Sequence, residues 1–310
     1  MFTVSVVIPT YNHARFLGEA IESAMAQTVP PKEVIVIDDG STDDTGAVLT
    51  RYTDPVRVVR QHNQGVAAAR NLGAQLATGD AVAFLDADDR WLAQKLERQS
   101  ERLRAEPELG LIHCGIQVID AAGKPQRQSV DGLEGWVARE LLLFRRPVIL
   151  GGGSGVIIPR EVFTRVGGFD PQLSTSADWD LYFRIARQYK VGFVPEVLLQ
   201  YRLHSANMHV NVKAMERDML HAYAKAFRDA SPEVAALRRR CYGNLHTVLA
   251  GSFFSVGQYR GFIRHGLQGL LLTPKNVSRF LGYPIRKWRG EKTHRDGAVE
   301  SGRRAGEIAR

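Results

Sequence analysis

Four strand-like segments of apolar pattern punctuate the front of the chain: Val4–Ile8, Val34–Ile37, Val56–Val59 and Ala81–Leu85. Val34–Ile37 and Ala81–Leu85 are unbroken apolar runs that stop at turn-forming residues, the pattern of strands buried on both faces of a parallel sheet. Between them lie the helix-compatible stretches Ala14–Ala26, Thr45–Tyr52 and Val66–Ala77. Strands alternating with helices of that size predict βαβ units and an α/β fold. A further helix is expected over Trp91–Ala105, with Pro107 stopping it. From Leu111 to Ile119 the pattern predicts short strands, with a turn near Ala122-Gly123-Lys124-Pro125. A glycine run, 151–155, leads into Val156-Ile157-Ile158; Asp178–Gln188 reads as a helix and Val191–Arg202 as strand and turn. Met215, Met219, Tyr223 and Phe227 recur at four-residue spacing, the stripe of a helix packed on one face. A second such helix is expected over Leu245–Phe254. Past Pro274 the chain is basic and turn-rich, and the last twenty residues have the composition of a disordered tail.

Composition narrows this picture. A chain of 310 residues with 44% hydrophobic and 24% charged residues suits a globular protein with a large core. Cys114 and Cys241 form no disulfide framework and lack metal-site spacing, which predicts a reducing compartment. The N-terminus lacks a secretory pattern, and no run approaches about 18 apolar residues. A cytoplasmic location is therefore expected. The net charge of +8 conceals a split, with −3 over residues 1–210 and +11 over residues 211–310. Such asymmetry points to an anionic partner surface, membrane or nucleic acid, for the basic third. It says little about the acidic front.

Two carboxylate clusters follow expected strands, Asp38-Asp39 and Asp86-Ala87-Asp88-Asp89. Ligands of open α/β sheets bind outside the carboxyl ends of strands. Carboxylates crowded there repel one another, and burial sharpens the repulsion. A bound cation or hydrogen-bond donors would offset it, so the clusters mark a site. Taken singly, several of these residues admit plainer readings. Asp38-Asp39-Gly40-Ser41 is also an ordinary strand-ending turn, and Asp89 suits the cap of the helix near Trp91. Asp178 likewise sits where a helix N-cap is expected.

Five separated features then fall in one order. Pro9-Thr10-Tyr11-Asn12 follows strand one, and Asp38-Asp39-Gly40-Ser41-Thr42-Asp43 follows strand two. Gly65 with Ala69-Arg70-Asn71-Leu72-Gly73 comes next, then Leu85-Asp86-Ala87-Asp88-Asp89. The fifth is Gly167-Gly168-Phe169-Asp170 followed by Asp178-Trp179-Asp180-Leu181. The ordered set resembles the family 2 inverting glycosyltransferases, whose GT-A fold is a Rossmann-like, mostly parallel sheet flanked by helices. The resemblance covers roughly residues 3–205. It implies a catalytic domain over 1–210, and the residue pattern beyond it gives a helical extension over 211–272 and a basic, partly disordered tail over 273–310.

The resemblance implies a nucleotide-diphosphate sugar as donor and a saccharide or lipid-linked hydroxyl as acceptor. Donor contacts would come from Pro9, Thr10 and Tyr11 at the base, Asp39 at the nucleoside with Asp86 supporting that side, Arg70 at phosphate or base, and Asp88. Asp88 matches the acid-x-acid element that holds Mg²⁺ or Mn²⁺, hard cations that bridge to phosphate oxygens. His204 could ligate the metal as well or touch the pyrophosphate, with 206–212 as a lid, although a lone histidine in a polar loop is ordinarily just solvated. Asp178 would be the general base. Ala177 stands where the family commonly has an acid beside that base. Asp180 orients or caps, Asn12 and Gly73 are conformational, and the glycine run lets backbone approach the sugar or turns the chain.

The basic segment Arg279–Arg289 mixes cations with aromatic and aliphatic residues, suiting peripheral contact with the inner face of a membrane. A solvated extension is the plainer reading. Two other classes compete with the transferase. A nucleotidyltransferase would need a glycine- and lysine-rich phosphate loop after strand one, where this chain has Pro9–Arg15. A nucleic-acid binder would explain the basic tail, but no recognised motif accompanies it and no nucleic acid is expected. A non-catalytic sugar-nucleotide binder stays open through Ala177.

Overall fold

In a computed structural model, residues 2–204, 207, 211–228 and 230–288 are described, the side chains of 284–288 excepted. The chain divides into two compact units, Met1–Ala138 with Pro147–Arg202, and Arg139–Arg146 with Leu203–Arg310.

The first unit opens with β1 (Val4–Thr10), α1 (Ala14–Met25), β2 (Glu33–Asp38), α2 (Thr45–Leu49), β3 (Val56–Arg60), α3 (Val66–Leu76) and β4 (Ala81–Phe84). These strands lie parallel in the order β3-β2-β1-β4. β1, β2 and β4 are buried on both faces, whereas β3, at the edge of the sheet, is buried only at Val56 and exposes Arg57 and Val58. Val4, Val6 and Ile8 share a cluster with Leu17 and Ile21 of α1, while Val7 on the other face meets α3. A Cβ on Gly73 would lie 2.3 Å from a Val7 methyl, so only glycine lets α3 come this close.

The sheet then changes direction. It continues through β5 (Arg90–Trp91), α4 (Lys95–Ala105), β6 (Leu109–Asp120), β7 (Pro125–Ser129) and, after the excursion carrying α5 (Ala138–Leu143), β8 (Ile157–Pro159). α6 (Arg160–Arg165), α7 (Ala177–Ala186) and β9 (Lys190–Leu203) complete the series. β8 runs antiparallel to β4 and β6, and β5 antiparallel to β9, in a sheet that has nine strands among the described residues. The result is a GT-A-like sheet, parallel where the acid clusters end and antiparallel beyond.

Two expectations are corrected here. The helix expected from Trp91 begins at Lys95, because Arg90 and Trp91 pair with Gln200 and Leu199 and tertiary pairing overrides local pattern. Leu111–Ile119 belongs to one long strand rather than several short ones.

The second unit is helical: α8 (Val212–Ala226), α9 (Pro232–Ala236), α10 (Arg238–Ser255), α11 (Tyr259–Leu272) and α12 (Val277–Trp288). The α8 stripe is buried at Met219, Tyr223 and Phe227. Tyr223 Oη and Asn244 Nδ2 donate to Leu142 O and Leu143 O, each at 2.8 Å, satisfying carbonyls at the end of α5. Glycines sit at the helix crossings, where a Cβ on Gly266 would strike Phe280 and one on Gly243 would strike Thr273. The segment past Pro274, expected to be turn-rich, is helical over Val277–Trp288. Phe280 stacks on Phe262 at 4.6 Å, so packing outweighs its turn-forming composition. Residues 289–310, the end of the expected tail, lie outside the described residues.

Candidate active site

The ends of β1 and β2 are tied to each other before any ligand is considered. Asn12, with φ of 56°, accepts from Thr42 N at 2.7 Å and donates its own N–H to Ser41 Oγ at 3.0 Å. Asp38 accepts from Ser41 N at 2.9 Å. Pro9 and Thr10 are buried in β1, and Tyr11 beyond it is 43% exposed. Among the described residues, the Thr10 hydroxyl is a buried polar group without a partner, which in a native site commonly marks an absent ligand or water.

Asp39 is more occupied than its sequence context suggests. Its carboxylate accepts from Gln61 Nε2 at 2.6 Å, Gln64 N at 2.9 Å and Gly65 N at 2.8 Å. It therefore fixes the loop that leads into α3, with lone-pair capacity for about one more donor. Beside it opens a cavity of about 460 Å³ lined by Gly40, Arg60, Gln61, His62 and Asn63. Of these, sequence reasoning singles out Gly40 and passes over the other four.

α3 carries Arg70 inward. Its Nη2 donates to Asp86 Oδ1 at 2.5 Å, its guanidinium lies 5.2 Å from the Phe169 ring, and its Nε has no partner among the described residues. Burial works against the Arg70 charge, yet Asp86 and, further off, Asp178 hold its pKa above the ordinary value. The next residue, Asn71, clasps the Phe169 backbone, donating to its O at 2.8 Å and accepting from its N at 2.9 Å. Two of the ordered motifs are thus one structural unit.

The glycine run is the centre of the arrangement. Gly151 and Gly152 adopt φ of 80° and 50°, and Gly152–Gly155 forms a single 3₁₀ turn. A Cβ on Gly152 would lie 3.4 Å from Asp178 Oδ2, and one on Gly153 only 2.7 Å from Arg70 Nη2. Ser154 Oγ donates to Asp89 Oδ2 at 2.6 Å and accepts from Asp86 N at 3.0 Å. Trp91 Nε1 donates to Ser154 O at 2.9 Å, and Gln99 Nε2 to Gly155 O at 3.0 Å. The turn is braced from beneath by α4, where buried Lys95 bonds Gln99 Oε1 at 2.7 Å. Desolvation pushes the Lys95 pKa down to about 8. Neither Ser154 nor this support was foreseen.

Asp89 does not cap a helix. It is buried and accepts from Ser154 and from Arg202 N at 2.8 Å, fixing the turn that presents Asp86 and Asp88. Burial, with Asp88 and Asp86 adding repulsion, raises its pKa well above the usual carboxylate range. Arg202 in turn donates to Asp88 O at 2.7 Å and to Glu19 at 2.7 Å.

Asp178 lies in the first turn of α7, where Trp179 N donates to its Oδ1 at 2.8 Å. Desolvation raises its pKa, Arg70 and the Trp179 N–H partly opposing that, while the Asp86 charge adds to it. Asp180 pairs with Arg184 at 2.8 Å, and Arg184 donates to Gly168 O at 2.6 Å. Asp180 thus anchors the preceding glycine motif. Ala177 is fully buried.

His13 Nε2 stands 3.8 Å from Asp88 Oδ2, while its Nδ1 is 2.8 Å from Tyr11 O. A ring nitrogen facing a carbonyl carries the proton, so in the neutral ring the Nε2 lone pair is on the side of the carboxylate. Carboxylate oxygen with imidazole nitrogen is a donor set that fits Mn²⁺ or Mg²⁺. His13 went unnoticed because a histidine after a turn carries no spacing signal. His204 belongs to the second unit, where it is buried and its backbone N–H donates to Asn207 Oδ1 at 2.5 Å. The lid expected over 206–212 falls largely outside the described residues.

A family model described as glycosyl transferase family 2 matches residues 5–166. An uncharacterized glycosyltransferase of Nostoc sp. is 36% identical over 216 residues, which span 67% of this chain and 67% of that protein. Among solved structures, S. aureus TarS 1–349 in complex with UDP-GlcNAc aligns with a TM-score of 0.64 at 16% identity, over 98% of this chain and 92% of that one. A mannosyltransferase from Pyrobaculum calidifontis, PcManGT in complex with GDP-Man and Mn²⁺, aligns with a TM-score of 0.62 at 22% identity, over 96% and 86%. At those identities the likeness is one of fold.

Proposed function

This chain belongs to glycosyl transferase family 2, and from that premise we propose that it moves a sugar from a nucleotide-diphosphate donor to an acceptor hydroxyl with inversion. One observation carries the reading. The Gly152–Gly155 turn gathers Asp178, the Arg70–Asp86 pair and the Asp89 support of Asp88 around one spot.

In this reading the nucleoside lies at Pro9, Thr10, Tyr11 and Asp39, with the orphan Thr10 hydroxyl offered to it. Asp88 and His13 would hold a divalent cation, Mg²⁺ or Mn²⁺, whose charge would stabilise the departing diphosphate, with Asp86 on the nucleoside side. His204 is carried as a further candidate ligand from the sequence. Arg70 contributes fixed positive charge near the sugar and sets the strength of Asp178. Asp178, its pKa raised by burial, accepts the proton of the acceptor hydroxyl as the oxygen attacks the face opposite the nucleotide. The neighbouring Gly152 has no side chain, so the acceptor can approach the carboxylate closely. The acceptor is a saccharide, free or lipid-linked.

The test is a panel of nucleoside diphosphate sugars with Mn²⁺, scored first by thermal shift and then by transfer to saccharide acceptors. A ligand that binds only the folded chain raises its melting point. An α-linked donor should give a β-linked product by NMR; retention of configuration would rule out Asp178 as the base of a direct displacement.

A further inference from the structure

Along α11 runs a row of apolar side chains that the helical unit leaves at least half exposed, Tyr259 also packing edge-on against Phe254. Tyr259, Ile263, Leu267 and Leu271 recur every fourth residue and are 51%, 53%, 57% and 77% exposed. Four-residue spacing keeps them on one face, drifting by about 40° per step. The opposite face is committed. His265, Gly266 and Gly269 are buried, with Gly266 against Phe280 and Gly269 against Thr247. The helix therefore cannot roll to hide the row. Its last turn is held wound by Arg239, which donates to Leu271 O at 3.3 Å and Leu272 O at 3.1 Å.

Isolated exposed apolar side chains are ordinary, whereas four in register form a surface that calls for a partner. The charge around the row identifies its kind. Between Glu233 and Glu291 the sequence has no acidic residue and ten Lys or Arg. Arg260 and Arg264 are exposed on α11 itself, next to the row, Arg264 also pairing with Glu216 at 2.6 Å. A second copy of this surface would bring like charges together. An anionic bilayer instead accepts the apolar row at the acyl boundary and the cations at the phosphates. Among the described residues no helix is long and apolar enough to cross a membrane, so the contact is one of lying in the interface.

We propose that α11 is an in-plane membrane helix, inserting Tyr259, Ile263, Leu267 and Leu271 into an anionic lipid surface with Arg260 at the headgroups. The lipid contact then lies on α11 and not on the segment Arg279–Arg289. The proposal concerns the helical unit and stands apart from the chemistry of the other.

Flotation of the full chain with lipid vesicles tests it. Vesicles of phosphatidylcholine with phosphatidylglycerol should carry the wild type upward, and phosphatidylcholine alone should not. Ile263→Asp with Leu267→Asp should lower the bound fraction at least about tenfold, whereas Arg286→Gln with Lys287→Gln should retain most of it. Both pairs are checked for an unchanged melting curve. Should the first variant fail to fold, Leu267→Trp replaces it: its added emission should shift to the blue with anionic vesicles and be quenched by brominated lipids. No flotation, flotation undiminished by the paired Asp substitutions, or unquenched emission would overturn the proposal. So would a wild-type dimer in sedimentation equilibrium that those Asp substitutions dissociate, which would assign the row to a second copy.

Discussion

Arg70 donates to Asp86 across 2.5 Å, and the same guanidinium lowers the pKa of Asp178 that burial has raised. Two carboxylates with different proposed tasks therefore share one buried counter-ion. Asp86 takes the hydrogen bond; Asp178 receives only part of the field.

Asp178→Asn removes the proposed proton acceptor while keeping shape and the hydrogen bond from Trp179 N. Transfer should fall about 10²- to 10⁴-fold with donor affinity retained. Wild-type turnover in that variant would refute the assignment of the base.

The pH profile follows from the same group. The carboxylate must be ionised to accept a proton, and burial raises its pKa above the ordinary carboxylate value. Activity should therefore rise with pH through an acid limb above that range. The limb should move to still higher pH in Arg70→Gln, which removes the charge that opposes the rise. A limb that Arg70→Gln leaves in place would uncouple the pair.

Ser154→Ala deletes one hydroxyl that both donates to Asp89 and accepts from Asp86 N. Two buried polar groups lose a partner, at a cost of about 2 kcal/mol or more. A melting point lower by roughly 4–8 °C follows for a unit of this size. An unchanged melting curve would mean that the acidic turn is held by other contacts.

Lys95 allows a test of the support beneath the glycine turn. Its folded pKa is pushed down to about 8 from an ordinary value of 10.5. Between those values the unfolded chain holds a proton that the folded chain lacks, so stability rises with pH across that window and is flat in this term below it. Lys95→Met should remove that rise, measured as the difference between the two urea-melting series from pH 8 to 10. Parallel series would show that Lys95 titrates normally.

These residues also mark where sequence patterning reaches its limit. The strands of the parallel half were legible because burial on both faces demands continuous apolar runs, and β1, β2 and β4 obey it. The acid clusters were legible because carboxylates at strand ends are locally costly. Ser154 was not, since a serine among glycines is locally a turn former and its partner Asp89 lies 65 residues away. The start of α4 was missed for a similar reason, its first apolar residues being claimed by pairing with β9. α12 was missed because glycine and proline in its sequence outweigh, on local rules, aromatic packing that exists only with α11 in position.

The central claim is that the donor diphosphate is held through a divalent cation at Asp88, and titration calorimetry addresses it most directly. UDP and GDP are titrated into the wild type and Asp88→Asn, each with Mn²⁺ and with excess EDTA. The account predicts that at least one nucleotide binds the wild type at least about tenfold more tightly with Mn²⁺, and that Asp88→Asn abolishes the difference. Equal affinity with and without metal, or an undiminished metal effect in Asp88→Asn, would contradict it.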